Sequence, residues 1–496
     1  MKSLEELLEI GECENIEFKK SGPKLSKDIW ETYSAFANTN GGYIVLGVAE
    51  KQQRTYEITG INAVDKILEE LYNTAANKDK VNKNLIDRKN IEVIQKDDKN
   101  VIVIYIPELQ VKQKPLYLNK NMSLTFIRKN TGDYLASEEE IRRFIRNTCD
   151  NEDGELLNGY TIEDLDKDSI LLFKTILDSR KPDRNFLKMS DLEFLQDVGV
   201  FKIDREDNRK WKLTLAGLLL LGTEEAITSR IPHFHLDYLN KKGNNDRWID
   251  RVSSGDLNYP NLNVLKFYNV VLGKLLNTIQ EPFQLEDRVV RKSFSELEVM
   301  FREALVNMLI HADYLDPETP IRAEVHDLFY TFYNPGTMKI PKDLFFTGNQ
   351  SEPRNSTLMT FFKKIGAAER EGGGGKEIFS VSKKNKFRIP ELEVTLKNTF
   401  LKLWVAVPEE SYPDLSDDTR AIFFYIRNNI EPVSMKQLEK NLQVTNYKVR
   451  KAIKELTGKN LVGIYGQGKA TRYYCTMSKI ERLAFVDELK KEISKA

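Results

Sequence analysis

The stretch Phe301-Arg302-Glu303-Ala304-Leu305-Val306-Asn307-Met308-Leu309-Ile310-His311-Ala312-Asp313-Tyr314 decides how the rest of the chain is read. At about 100° per residue, Glu303, Asn307, His311 and Tyr314 fall along one stripe of a helix, and Phe301, Leu305, Met308, Leu309 and Ala312 fall on the opposite side. The pattern predicts a helix with one packed side and one side left for chemistry. Two later segments give the polar stripe a purpose. A strand-like run, Phe329 to Tyr333, ends at Asn334-Pro335-Gly336, and further on come Gly372, Gly373, Gly374 and Gly375, followed by Lys376. Consecutive glycines let backbone N–H groups crowd around a small anion, because no side chain blocks the approach and φ is unrestricted. Triphosphate is the anion they suggest. The segment is not a Walker A loop, since Arg370 stands where its first glycine belongs and Glu377 replaces the Ser/Thr after the lysine. Taken singly, Glu303 and Asn307 read as a solvated helix face and the glycines as a surface loop. The ordered set is what points to a nucleotide.

That set resembles the divergent ATP-binding domain of the GHKL type, the fold of DNA gyrase and histidine kinases, in the form found in bacterial proteins once labelled helicase-related transcriptional regulators. The matching residues are Glu303, Asn307, His311, Asp313 and Tyr314 in a first box and Asn334-Pro335-Gly336 in a second. Ser351 with Pro353-Arg354-Asn355 comes next, and Gly372 to Gly375 form the last box. The resemblance implies that Asn307 ligates a Mg²⁺ bridging the phosphates of ATP, and that Glu303 orients or deprotonates the attacking water. Gly372, Gly373, Gly374, Gly375 and Lys376 would close over the phosphates, with His311, Asn334 and Gly336 completing the nucleotide site. The aspartate that reads the adenine amino group in typical members has no counterpart in the second box unless it is Asp327 upstream.

At 496 residues the chain has room for about three or four domains with real hydrophobic cores. Lys+Arg and Asp+Glu are both 75, so any attraction to nucleic acid must come from local basic patches. Cys13, Cys149 and Cys475 are too few and too scattered for a disulfide framework or a zinc knuckle, which fits a reducing cytosol. The longest apolar run, Leu215 to Leu221, is far short of the roughly twenty residues a membrane span needs. The acidic, amphipathic start is unlike a signal peptide. The expectation is a soluble cytoplasmic protein.

In the first 150 residues, Leu4, Leu7 and Leu8 mark a short helix, and Ile16 and Phe18 alternate with Glu17 and Lys19 as a strand would. Ser26 to Ala37 reads as a helix, Tyr43 to Val48 as a buried strand, and Ile91 to Gln95 and Val101 to Ile106 as further strands. A last helix, Ser137 to Asn147, carries the capping pair Ser137 and Glu140. Glu12, then Glu17-Phe18-Lys19, Ser34-Ala35-Phe36-Ala37-Asn38-Thr39-Asn40-Gly41-Gly42, Gly47-Val48-Ala49-Glu50, Pro115 with Tyr117, and Arg128 together resemble the Alba-related Schlafen domain. In nuclease-active Schlafens three acidic residues hold a divalent metal, and they map onto Glu12, Glu17 and Glu50. Such a metal, Mg²⁺ or Mn²⁺, would activate water and offset charge on the phosphate being cut. Lys19, Lys20 and Arg128 would bind the flanking backbone. A five-residue spacing on a regular strand puts Glu12 and Glu17 on opposite faces, so Glu12 must lie before the strand or across a bend. The competing reading is a scaffold that grips nucleic acid or protein without cutting.

The middle of the chain opens with an acidic linker at Asp150 to Glu155. Helices are expected at Ile170 to Leu177 and Met189 to Val198, with a strand at Trp211 to Leu213 leading into the apolar Leu215 to Leu221. His233 and His235 share a face of an expected strand, Ile231 to Leu239. With no third ligand in sight they read as packed histidines rather than a metal site. Leu262 to Asn277 reads as a long amphipathic helix. After the acidic linker Val407 to Asp418 come three helices, with Ser434 and Thr445 as caps of the second and third, and a hairpin. That is the order of a winged helix, with Lys448, Arg450, Lys451 and Lys454 on the third helix and Lys469 and Arg472 in the wing. It suits either duplex DNA or a dimer interface. A terminal helix, Ile480 to Ile493, offers Leu483, Val486 and Leu489 to a partner subunit.

The fold expected is thus α+β and multidomain. It comprises a Schlafen Alba-like module over 1–150, a connecting α/β region over 160–290, a GHKL-like α/β sandwich over 291–407, and a winged helix over 416–496. The function expected is that of an ATP-gated, metal-dependent endonuclease acting on RNA such as tRNA, homo-oligomeric and suited to antiviral defence or stress. The alternative is an ATP-responsive DNA-binding transcriptional regulator without nuclease activity, and a third is a protein-interaction platform.

Overall fold

The structure, a computed structural model, describes residues 2–20, 24–26, 28–52, 55–149, 151–243, 247–280, 289–317, 320–348, 352–368, 373–408, 410–429, 431–466, 468, 471–477 and 481. Ser351, Gly372, Lys469 and nearly all of the expected terminal helix lie outside these residues. The chain divides into two compact units, 1–150 with 337–340, and 151–336 with 341–496.

In the first unit, helix Leu4–Ile10 starts at a capping box formed by Ser3 and Glu6. Strands Ile16–Lys19, Gly42–Leu46, Lys99–Ile106 and Ile91–Lys96 form a sheet in that spatial order. The first two are parallel and the others antiparallel. Parallel neighbours need a crossover, supplied by helix Ile29–Asn38. Its buried Ser34 and Asn38 lie one turn apart and knit the helix to the second sheet. Asn38 Nδ2 donates to the carbonyls of Leu116 (2.8 Å) and Phe126 (2.9 Å), and Leu116 N–H donates back to Asn38 Oδ1 at 2.7 Å. The glycine pair that follows is dictated by space. A Cβ on Gly42 would sit 2.8 Å from the Phe36 ring, and Gly41 takes a φ of +68° beside the Ile106 carbonyl.

The second unit is built on a six-stranded mixed sheet, in the order Asp250–Ser253, Leu236–Asn240, Ile321–Val325, Phe329–Pro335, Asn398–Trp404, Glu391–Val394. The first two strands lie well before residue 291, so the sheet recruits chain from the region expected only to connect. Leu236–Asn240 pairs in parallel with Ile321–Val325, a partner far away in sequence. Helices Val264–Gln280, Val289–His311 and Gly374–Lys384 pack with the sheet in one continuous apolar core. Leu215–Leu221 is a helix buried at every position, which explains an apolar run too short to cross a membrane. Among the described residues no helix is long and apolar enough to do so.

A separate apolar cluster supports helices Asp417–Asn428, Met435–Leu442 and Asn446–Gly458 and the hairpin Val462–Tyr465/Arg472–Cys475. Ser434 and Thr445 cap the second and third of these helices. Val433 and Tyr473 exchange both backbone hydrogen bonds at 2.8 Å, adding a short third strand to the hairpin.

Candidate functional site

Glu303 lies buried on helix Val289–His311, one turn before Asn307. Facing them is the start of helix Gly374–Lys384, with Gly373 at its N-cap and no side chain capping its first turn. A Cβ on Gly374 would lie 2.6 Å from Glu303 Oε2 and 3.0 Å from Asn307 Nδ2. Only glycine lets this backbone come so close to both side chains. The first-turn N–H groups have no partner within their helix and carry its positive dipole end, which is the arrangement that receives anions. A Cβ on Gly375 would run into the Phe345 carbonyl, and the stem of Lys376 lies over Gly348. Gly373, Gly374 and Gly375 therefore open a helix, where the glycines taken singly read as a surface loop.

The other motifs meet one another at the C-terminal end of helix Val289–His311. Asp313 N–H, just past the helix end, donates to Pro335 O at 2.9 Å. Gly336, at a φ of +93°, is wedged between Asp313 Cβ (3.0 Å from its notional Cβ) and the Arg354 guanidinium (3.1 Å). Buried Asn355 clamps the end of helix Val289–His311, its Nδ2 donating to Ile310 O (3.1 Å) and Ala312 O (2.7 Å). Removing that amide takes away the side-chain donor to the Ala312 carbonyl, while Ile310 O keeps the Asn355 backbone N–H at 2.9 Å. Asn355→Ala should therefore cost about 1–3 kcal/mol in chemical denaturation, and a loss below about 0.5 kcal/mol would disprove the clamp.

One expectation changes here. Tyr314 does not continue the polar stripe, because the helix stops at His311 and the Tyr314 ring turns into the core, its hydroxyl donating to Leu309 O at 2.9 Å. Asn334 is buried, with its Nδ2 on Pro335 O at 3.2 Å. Asp327 lies before the start of strand Phe329–Pro335, at the far end from Gly336, and accepts from Gly243 N–H at 3.0 Å. His235 precedes strand Leu236–Asn240 and its Nε2 lies 3.3 Å from Ser253 Oγ. No group of three His, Cys, Asp or Glu placed to hold a metal occurs among the described residues.

In the first unit the turn before strand Ile16–Lys19 folds back, so that Phe18 N–H donates to Glu12 Oε1 at 3.1 Å. Glu12 thus reaches the strand from outside it, as its spacing required. The hairpin Val48–Gln52/Thr55–Ile58 pairs Glu50 with Tyr56, whose hydroxyl accepts from Glu12 N–H at 2.8 Å. Burial pushes the Glu12 carboxyl above the ordinary glutamate range, outweighing the Phe18 hydrogen bond, and the Glu17 and Glu50 carboxylates push it further up. Glu17 is held instead by cations: Arg128 Nη2 at 2.8 Å and Lys19 Nζ at 3.2 Å. As arranged, the three glutamates do not fit a shared divalent metal. Lys19 and Arg128 are also poor phosphate ligands, with side chains only 11% and 1% exposed, whereas Lys20 is exposed.

Because its folded pKa is raised, Glu12 contributes stability that is fully present below the unfolded glutamate value and lost as pH rises through the folded one. Glu12→Gln should raise the melting temperature at neutral pH, with the difference from wild type vanishing below about pH 4. A variant that melts lower than wild type at pH 7 would contradict this electrostatic account.

On helix Asn446–Gly458, Val449, Ala452, Ile453 and Leu456 are buried, while Lys448, Arg450, Lys451 and Lys454 face outward. Lys448 pairs with Asp418 at 2.7 Å, Arg450 Nε donates to Asn446 Oδ1 at 2.7 Å, and Arg472 is half-buried.

Comparison with known proteins agrees with both resemblances. Residues 12–137 match the Schlafen AlbA_2 family model, and residues 321–403 match the model described as putative ATP-dependent DNA helicase RecG C-terminal. Residues 142–237 match a domain of unknown function. One segment of the chain is thus similar to a Schlafen AlbA_2 domain and another to a RecG-related, ATPase-type domain. Among solved structures, a Corynebacterium diphtheriae protein is 14% identical over 93% of this chain and 95% of its own, at a TM-score of 0.39. The N-terminal domain of a putative ATP-dependent DNA helicase RecG-related protein from Nitrosomonas europaea is 28% identical over 28% of this chain and 92% of its own, at 0.22. No curated protein matches.

Proposed function

We propose that this chain binds ATP with Mg²⁺ where helix Val289–His311 meets helix Gly374–Lys384, and that the bound nucleotide governs how its other modules act on nucleic acid. The observation that carries this reading is the approach of Gly374 to Glu303 and Asn307, a cradle that any Cβ would fill. Asn307 would hold the metal, the N–H groups of Gly373 to Gly375 and Lys376 would hold the phosphates, and Glu303 would hold the water. The Mg²⁺ supplies charge compensation for the phosphates. In this reading His311, one turn beyond Asn307, and Asn334 and Gly336 would complete the nucleotide site. Calorimetry on the full chain should show saturable ATP binding that needs Mg²⁺ and is lost in Asn307→Ala. Absence of heat with every nucleotide tried sinks the reading.

A finer reading is metal-dependent cleavage of RNA by the Schlafen-like module, as in a defence or stress response. It is favoured by the clustering of Glu12, Glu17 and Glu50 within electrostatic reach, and it requires Glu17 to give up a cation partner. Purified protein with Mn²⁺ and RNA should lose scission in Glu17→Ala and Glu50→Ala, and undiminished cutting removes the site. The other reading is a regulator that places helix Asn446–Gly458 of a winged helix on duplex DNA through Arg450, Lys451 and Lys454, with homo-oligomerisation setting half-site spacing. It predicts salt-sensitive operator binding weakened by Lys451→Ala, without scission.

A further inference from the structure

Within the second unit, outside the proposed nucleotide junction, lies a cavity of about 350 Å³ between helix Ser356–Lys364 and the turn at Val198-Gly199. Lys202 and Lys364 line it from opposite elements, and Phe361 and Val198 supply an apolar floor. Among the described residues no carboxylate lines it. The hydroxyl protons nearby are already committed. Ser356 and Thr357 donate to Asn151 Oδ1 at 2.8 and 3.2 Å, and Thr360 donates to Ser356 O at 3.0 Å. Any attraction for a ligand therefore comes from the two ammonium groups.

The neighbouring acids offset them only in part: Asp197 acts on Lys364 and Asp153 on Lys202, and neither lines the cavity. Asp197 is gripped by Arg184 through both oxygens at 2.7 Å. Asp153 is buried beneath the helix, accepting from the N–H groups of Thr357 (3.2 Å) and Leu358 (2.7 Å). Its charge offsets the helix N-terminus, so that end is not itself the anion site. Lys364 is fixed by one N–H on Val198 O at 2.6 Å, and its ammonium is pushed below the ordinary lysine range by burial and by the charges of Lys202 and Lys181, against Asp197. Neither lysine has a carboxylate inside the cavity itself among the described residues.

We infer that this cavity binds a small phosphomonoester, its phosphate between Lys202 and Lys364 and its remainder against Phe361 and Val198. The volume lies at the small end of ligand pockets, which suits a phosphorylated sugar rather than a dinucleotide. The test is calorimetry on the full chain at low ionic strength with ribose 5-phosphate, inorganic phosphate and uncharged ribose. Ribose 5-phosphate should saturate, ribose should not bind, and Lys202→Gln and Lys364→Gln should each weaken binding by about tenfold or more. Asn307→Ala should leave it unchanged, which separates this site from the nucleotide junction. Inorganic phosphate binding as tightly as ribose 5-phosphate would confirm the anion site but remove the sugar. Lys202 is exposed, so its substitution leaves the fold intact even where Lys364→Gln disturbs the Val198 contact. No saturation by either phosphate below about 10 mM, or full binding by Lys202→Gln, overturns the inference.

Discussion

Gly374→Val should weaken ATP binding roughly 100-fold, about 2.7 kcal/mol, while the protein stays folded. The first atom added at this position lands 2.6 Å from Glu303 Oε2 and 3.0 Å from Asn307 Nδ2, the two side chains proposed to serve the nucleotide, and two further methyls add to that crowding. Both neighbours are side-chain ends rather than backbone, so the fold can give way locally while the cradle is lost. Gly375→Ala makes the contrast, because its Cβ meets the Phe345 carbonyl and backbone must move. That variant should melt lower as well as bind less. Gly458→Ala, where a Cβ meets nothing within 4 Å, should change neither. Calorimetry beside thermal melting separates the three, and a Gly374→Val protein that binds ATP like wild type would show that the junction is not where nucleotide sits.

Local features of this fold were readable because their causes are local. The caps at Ser137, Ser434 and Thr445 stand three residues ahead of the N–H groups they serve, and the structure shows each one made. Glu12 could be placed off the strand because a period of two leaves no other way to bring it near Glu17. What escaped is non-local. Leu236–Asn240 belongs to the sheet only through a parallel partner far along the chain, and no pattern in either segment announces the pairing. Tyr314 fits the helical stripe by spacing, yet the helix ends three residues earlier and tertiary packing takes the ring inward. Arg128 read as a phosphate ligand because a lone arginine ending a strand carries no sign of the carboxylates waiting for it.

Those carboxylates make the second large effect. Arg128 Nη2 and Nη1 each hold a carboxylate at 2.8 Å, Glu17 and Asp133 respectively, and the guanidinium lies 5.1 Å from the centre of the Phe36 ring. With a side chain 1% exposed, it sits where water cannot replace it. Arg128→Met keeps the packing and removes the shared cation, leaving Glu17 with Lys19 alone and Asp133 with only the Thr32 hydroxyl, which should cost about 3 kcal/mol. Denaturation of the full chain should show the first unit losing that much. Adding Glu17→Gln and Asp133→Asn should restore most of it, because replacing a whole buried network is far cheaper than breaking one member. A loss under about 1 kcal/mol would mean the network is solvated after all. Loss of RNA binding in Arg128→Met would then reflect a collapsed module rather than a missing phosphate contact. The exposed Lys20 supplies the control: Lys20→Ala should weaken RNA binding and flatten its salt dependence with the melting temperature unchanged.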